Sequence, residues 1–201
     1  MQRKADKERK TKETEIKVTL NIDGEGKSDI KTGIGLLDHM LELFAFWGHF
    51  DLSIAAKGDL NIDIHHTNED IGIVLGDAFK EALGKKEGIN RMGSASVPME
   101  DVVANVVVDI SGRGFFNGIV GDPKLSKYKN DEGYSFDYAN HLFEAFARRL
   151  GVNSSISITG QNPDLHTNLE PIFKAFGIAL DQATQIDPRR KGIPSTKGII
   201  D

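Results

Sequence analysis

Asn61–Gly76 reads NIDIHHTNEDIGIVLG and Leu165–Gly177 reads LHTNLEPIFKAFG. Each stretch opens a helix-like pattern with a histidine four residues ahead of a glutamate, His65 with Glu69 and His166 with Glu170, and each reaches a glycine at the same distance. Residues four apart share one face of a helix, whereas His66, one step on, points about 100° away. The correspondence is wider than the two stretches. His65 and His166, Glu69 and Glu170, Gly76 and Gly177, Ala78 and Ala179, and Ala82 and Ala183 all stand 101 residues apart, while His39 and His141, Glu42 and Glu144, Phe44 and Phe146, Ile54 and Ile156, and Gly58 and Gly160 stand 102 apart. A fixed offset carried by so many positions is the mark of an internal repeat. The chain therefore divides into halves at 1–94 and 95–186, followed by a tail at 187–201. The expected class is α+β, an α/β sandwich in which each half is a mostly β layer with two helices on one face. If the halves pack about a pseudo-twofold axis with sheets outside and helices facing, the histidines of both halves converge.

Working outward, IKVTLNI (16–22) alternates as a strand, and GLLDHMLELFAFWG (35–48) has helical period and closes on glycine. DLSIAAK and DLNIDI both alternate at period two and are expected to be strands before a helix running from His65 to near Gly84. In the second half, DVVANVVVDI (101–110) and GFFNGIV are strand-like, and a polar loop occupies roughly 121–133. FDYANHLFEAFARRLG, SISITG and HTNLEPIFKAFGIALDQATQ then supply a helix, a strand and a helix. The amino-terminal MQRKADKERKTKETE is charged throughout, which suits a frayed end or a partner-contacting arm and not a secretory signal.

Composition excludes several chemistries. With no cysteine there is no disulfide, no thiolate nucleophile and no cysteine-ligated metal, as befits a cytoplasmic protein, so any metal must rest on histidine and carboxylate. The net charge of -5 argues against a nucleic-acid surface, and no apolar run is long enough to span a membrane. Arg189, Arg190 and Lys191 read as a solvated surface run. A lone histidine on a helix is usually a hydrogen-bonded or surface residue. Repetition of the His/Glu pair shifts the reading toward metal binding, and imidazole with carboxylate suits manganese, iron(II) or zinc better than calcium or magnesium. The spacing is not that of the metalloprotease motif, which needs histidines at both i and i+4.

A family resemblance rests on TGIGLLDHM, KGDLNIDIHHTNEDIGIVLG, VPMED, DISGRG, EPIFKAFG and IPSTKG, in that order. This series resembles imidazoleglycerol-phosphate dehydratase of histidine biosynthesis. The resemblance implies a duplicated fold of the ribosomal protein S5 domain 2-like type, trimers assembled into a 24-subunit shell, and two Mn(2+) ions per active site shared between neighbouring subunits. By motif, His66, His141, His166 and Glu170 match the ligands of one metal, and His39, His65 and Glu69 those of the other. The implied reaction dehydrates imidazole glycerol phosphate to imidazole acetol phosphate through an imidazolate stabilised by both metals. Glu13 matches the glutamate that moves a proton, with His65, Glu69 and Glu170 completing the catalytic group. Arg91, Arg113, Ser195 and Lys197 match the phosphate-binding set. Lys174 joins them either as a substrate contact or as the i, i+4 salt-bridge partner of Glu170.

The chain departs from the family pattern at particular positions. Thr167 stands where a second manganese-binding histidine is expected, which leaves that metal with His39, His65 and Glu69 unless a slipped helix start brings Asp164 to it. Trp47 stands where a substrate-contacting histidine is common, and VPMED inverts the usual acidic order at Glu100 and Asp101. The alternative function is a non-catalytic or weakly active paralogue that keeps one metal. A hydroxyl is a poor substitute for imidazole, so restoring the imidazole with Thr167→His should raise both manganese content and turnover; no change in either removes the weakened-site account.

Overall fold

The computed structural model describes residues 3–130 and 133–200. Strands β1 (Lys4–Lys10), β2 (Thr14–Asn21), β3 (Ser28–Lys31) and β4 (Asp51–Gly58) form one sheet in the order β1-β2-β4-β3. β5 (Met92–Met99), β6 (Val102–Asp109), β7 (Phe115–Val120) and β8 (Asn153–Thr159) form a second sheet in the order β5-β6-β8-β7. The pairing is the same in both. The first three strands of each order are antiparallel, and the last joins in parallel, β3 to β4 and β7 to β8. A parallel pair needs a crossover, which α1 (Gly35–Trp47) and α3 (Phe136–Leu150) provide. The second helix of each half is α2 (Ile64–Leu83) or α4 (Leu165–Thr184).

Period-two burial explains the layering. Ile16, Val18, Leu20, Leu52 and Ile54 of the first sheet, and Val102, Ala104, Val106, Val108, Ile156 and Ile158 of the second, point inward and are buried. α2 covers β1 and β2, α1 covers β3, α4 covers β5 and β6, and α3 covers β7. The helical layers then face each other, α1 against α4 and α2 against α3, so the sheets lie outside and the helices between them. This is the duplicated α+β sandwich that the offsets of 101 and 102 imply.

Two expectations are corrected. The amino-terminal segment from Lys4 is not frayed but is an edge strand: β1 pairs along its whole length with β2, Ala5 is buried, and Arg9 and Thr14 both bind the carboxylate of Asp70 on α2. Met1 and Gln2 lie outside the described residues. DLNIDI is not a strand. After β4 ends at Gly58 the chain turns, Ile62 donates to the Asp59 carbonyl, and Asp63 caps α2 by accepting from the His65 amide. β3 and β5 lie where the sequence reading has no strand. The loop around 121–133 holds a 3-10 turn at Pro123–Lys127, and its residues 131 and 132 lie outside the described residues.

The repeat is most legible at the helix crossings. A Cβ at Gly76 would lie 2.8 Å from the Phe146 carbonyl of α3, and one at Gly177 would lie 2.5 Å from the Phe44 carbonyl of α1. Gly76 and Gly177 stand 101 apart and Phe44 and Phe146 stand 102 apart, so the same close approach occurs twice. Gly177→Ala must push α1 off α4. It is expected to lower unfolding free energy by about 1–3 kcal/mol, the usual cost of overpacking, measured by urea denaturation. An unchanged midpoint would show that the crossing has slack.

Candidate active site

The two crossings position the histidines. Asp38 fixes the start of α1 by accepting from the amide and the hydroxyl of Thr32, one residue ahead of His39. Asp63 and Asp164 cap α2 and α4 by accepting from the amides of His65 and His166, which places each His/Glu pair in the opening turns of its helix. At the α1–α4 crossing His39, His166 and Glu170 come together, with one ligand atom from each lying within 4.8 Å of the others. At the α2–α3 crossing His65 and His141 bring their Nδ1 atoms to 2.9 Å, and His65 Nε2 lies 3.4 Å from Glu69 Oε2. Each cluster therefore takes one imidazole from one half of the chain, and an imidazole with its carboxylate from the other. His39, His166 and Glu170 within this span are a donor set that fits a borderline divalent ion, whereas at the other crossing His65 turns Nδ1 to His141 and Nε2 to Glu69.

His66 stands apart from both. Its Nδ1 lies 3.1 Å from Asp59 Oδ2 and 4.0 Å from Glu13 Oε2. Glu13 sits in the turn between β1 and β2, where the Thr11 hydroxyl accepts from the amides of Glu13 and Thr14. Its hairpin is pinned to α2 through Asp70. The hydrogen bond to Asp59, reinforced by the charge of Glu13, lifts the His66 imidazole above its ordinary range. Burial pushes the Glu170 carboxyl up, but hydrogen bonds and charge from Lys174 and His166 outweigh it and hold it below the usual glutamate range.

The ligand groupings implied by resemblance are not those found within one chain. His66, His141 and His166 lie in three separate places, and His39 meets His166 and Glu170 in place of His65 and Glu69, because α1 crosses α4 and not α2. Asp164 is not among the residues gathered round His39 within one chain. Its oxygens cap the helix, one accepting from the His166 amide and one from the Thr167 hydroxyl at 3.1 Å. Lys174 is the salt-bridge partner of Glu170, 2.5 Å away.

Of the residues matched to phosphate binding, Arg91, Ser195 and Lys197 lie toward the far end of α4. Arg91 forks onto Asp109 at 2.6 and 3.0 Å, and it donates to the Pro194 carbonyl at 3.0 Å, which ties down the tail carrying Ser195 and Lys197. Its amide donates to Ala183, in the last turn of α4. Ala183 lies about 26 Å along α4 from His166, at about 1.5 Å per residue. Arg113 sits in the turn after β6, its amide 3.4 Å from the Ser111 hydroxyl. Arg91 and the tail it holds are thus far from the His39–His166–Glu170 cluster within one chain.

Two residues escaped the sequence reading, Asp59 and Asp109, which orient His66 and Arg91. Carboxylates that brace a functional imidazole or guanidinium sit wherever the fold brings them, here at the ends of β4 and β6, and no local spacing marks them.

An internally duplicated sandwich whose helix crossings bear imidazole–carboxylate clusters from both halves defines a class of enzyme with a metal-type candidate site. Comparison with known proteins narrows the class. The family model for imidazoleglycerol-phosphate dehydratase matches residues 32–180. The imidazoleglycerol-phosphate dehydratase of Pelobacter propionicus is 51% identical over 201 residues, covering 100% of both chains, and that of Bacillus pumilus is 48% identical over 200 residues, covering 98% of this chain and 100% of its own. The crystal structure of the Staphylococcus aureus enzyme superposes with a TM-score of 0.78 at 33% identity, covering 92% of this chain and 99% of its own. That of the Pyrococcus furiosus enzyme gives 0.79 at 36%, covering 96% and 99%. The chain belongs to the imidazoleglycerol-phosphate dehydratase family, a family of hydro-lyases.

The Asp59 contact is directly testable. Asp59→Asn removes the charge that favours the imidazolium, so His66 should titrate at lower pH in the variant, followed by NMR on metal-free protein. An unchanged midpoint would rule out Asp59 as the cause.

Proposed function

We propose that this protein dehydrates imidazole glycerol phosphate to imidazole acetol phosphate in histidine biosynthesis, in the cytoplasm, with manganese as its metal. The observation that carries the reading is the meeting of His39, His166 and Glu170 from two halves of the chain, with His65 placed between His141 and Glu69 at the other crossing. Metal ions bound by such donors supply Lewis acidity toward the imidazole ring of the substrate. His39, His65, His66, His141, His166, Glu69 and Glu170 are the ligands in this reading. Glu13, held over His66 by its pinned hairpin, takes the proton whose loss the dehydration requires, and the Asp59–His66 contact keeps an imidazole oriented beneath it. Arg91, Arg113, Ser195 and Lys197 hold the phosphate, the guanidinium of Arg91 being set in place by Asp109.

Separation of Arg91 and the tail from His166 by about the length of α4 supports sites completed by a neighbouring subunit. The outer face of the second sheet agrees with a homo-oligomer, in this reading a 24-subunit shell of trimers. Val103, Val107, Phe115 and Val120 are exposed there, whereas the first sheet presents Lys4, Asp6, Glu8, Glu15 and Lys17.

Metal-free protein titrated with Mn(II) should gain turnover of imidazole glycerol phosphate, followed by the absorbance of the product; protein that binds the metal and stays inactive sinks the proposal. Shared sites predict complementation as well. Glu170→Gln and Arg91→Ala should each be nearly inactive alone, and their co-assembled mixture should regain a substantial part of the activity. A mixture no better than its components would mean that each chain builds its own site.

A further inference from the structure

A chain of hydrogen bonds ties α2 to α3 beside their histidines. Asn68 is fully buried in α2, directly before Glu69. Its amide nitrogen donates to the Tyr138 carbonyl at 2.7 Å, and its amide oxygen accepts from the Tyr134 hydroxyl at 3.0 Å. Tyr134 is also fully buried, and its backbone is locked to Asn130, whose amide donates to the Tyr134 carbonyl and whose side chain accepts from the Tyr134 amide. Tyr138 adds a second tie. Its hydroxyl donates to Asp63 Oδ1 at 2.8 Å, the same oxygen that caps α2 by accepting from the His65 amide. Tyr138 stands one turn before His141, on the same face of α3.

The duplicated positions at the other crossing hold different chemistry. Leu169 stands in the place of Asn68, Leu36 in that of Tyr138 and Thr32 in that of Tyr134. Asp164 caps α4 as Asp63 caps α2, yet the hydroxyl it accepts from belongs to Thr167 of the same helix and not to the facing one. A polar network whose members are all satisfied specifies one arrangement of the elements it joins, which apolar packing alone does less strictly. The crossing that carries His65, His66 and His141 is thus keyed in a way that its counterpart is not.

We propose that Tyr138, backed by Tyr134 through Asn68, is a positioning residue for the dehydration: it fixes the register of α2 on α3, and with it the spacing of His65 and His66 from His141. It acts through the cap of α2 and not on substrate. Functional side chains must sit within about 0.5 Å of their productive geometry, so a slide of α2 of that order lowers turnover before it unfolds the protein. The Tyr138–Asp63 bond is exposed, so its loss strands no buried group and costs little stability. That separates positioning from folding. The Tyr134–Asn68 bond is buried, and its loss bears on both.

The inference rests on the reading that the protein is this dehydratase, and the parent protein assembled with Mn(II) tests that reading separately. Tyr138→Phe should lower kcat for imidazole glycerol phosphate about ten-fold, with KM and the urea midpoint near the parent values. Asp63→Ala removes the group through which Tyr138 acts, so adding Tyr138→Phe to it should lower kcat little further. Tyr134→Phe leaves the Asn68 oxygen buried without its donor and should lower both kcat and the midpoint. A Tyr138→Phe enzyme with the parent kcat overturns the inference. So does a fall in kcat matched by a fall in the midpoint, or effects of Tyr138→Phe and Asp63→Ala that simply multiply. A parent protein that takes up Mn(II) and shows no turnover overturns the dehydratase reading beneath it.

Discussion

Four phenylalanines, one from each helix, close a ring at the centre of the molecule. Phe44 of α1 meets Phe79 of α2 at 6.0 Å between centroids, Phe79 meets Phe146 of α3 at 5.5 Å, Phe146 meets Phe176 of α4 at 5.5 Å, and Phe176 returns to Phe44 at 6.0 Å. All four are buried. Each such contact contributes about 0.5–1.5 kcal/mol beyond the area it removes from water, but the larger effect is topological. The ring joins both halves into one core, so neither sheet has its own. The crossing of α1 with α4 and of α2 with α3, on which both histidine clusters depend, is set by this packing and by the glycines that let the backbones approach.

The electrostatics follow from the same placement. Histidines near the start of α2 and α4 meet histidines of the facing helices near the edge of the shared core, where Glu170 is partly buried and Glu69 is not. Burial of a carboxylate is costly unless it is paired, and Lys174 and His166 supply the pairing. Arg91 shows the same economy at the far end: its fork onto Asp109 orients it while its remaining donor secures the tail.

Legibility in the sequence tracked the range of the interaction. The i, i+4 pairs were readable because a helix brings its own residues together, and the duplication was readable because offsets survive whatever the packing. β1 was not, since KADKERK shows the burial of an edge strand with few inward residues, and charge on an edge resembles charge on a loose end. DLNIDI misled for the opposite reason. Its alternation at Leu60, Ile62 and Ile64 mimics a strand, but Asp59 and Asp63 turn the backbone and Ile62 faces outward. Which histidine meets which was beyond reach, because His39 finds His166 only through a crossing angle that depends on Gly177 and the phenylalanine ring. Asp59 and Asp109 were hidden likewise, being neighbours in space alone.

Duplication within one chain has a consequence for symmetry. A half-length chain holds every component of one cluster, yet it could assemble that cluster only by pairing with an identical copy, since each cluster draws on both halves. Two identical copies would be bound to make two identical clusters. Covalent fusion lifts that obligation, and the chain has used the freedom: Lys174 answers to Ile73, Trp47 to Arg149, and Thr167 to His66. Each half can now diverge toward its own task while the shared core continues to hold both in register.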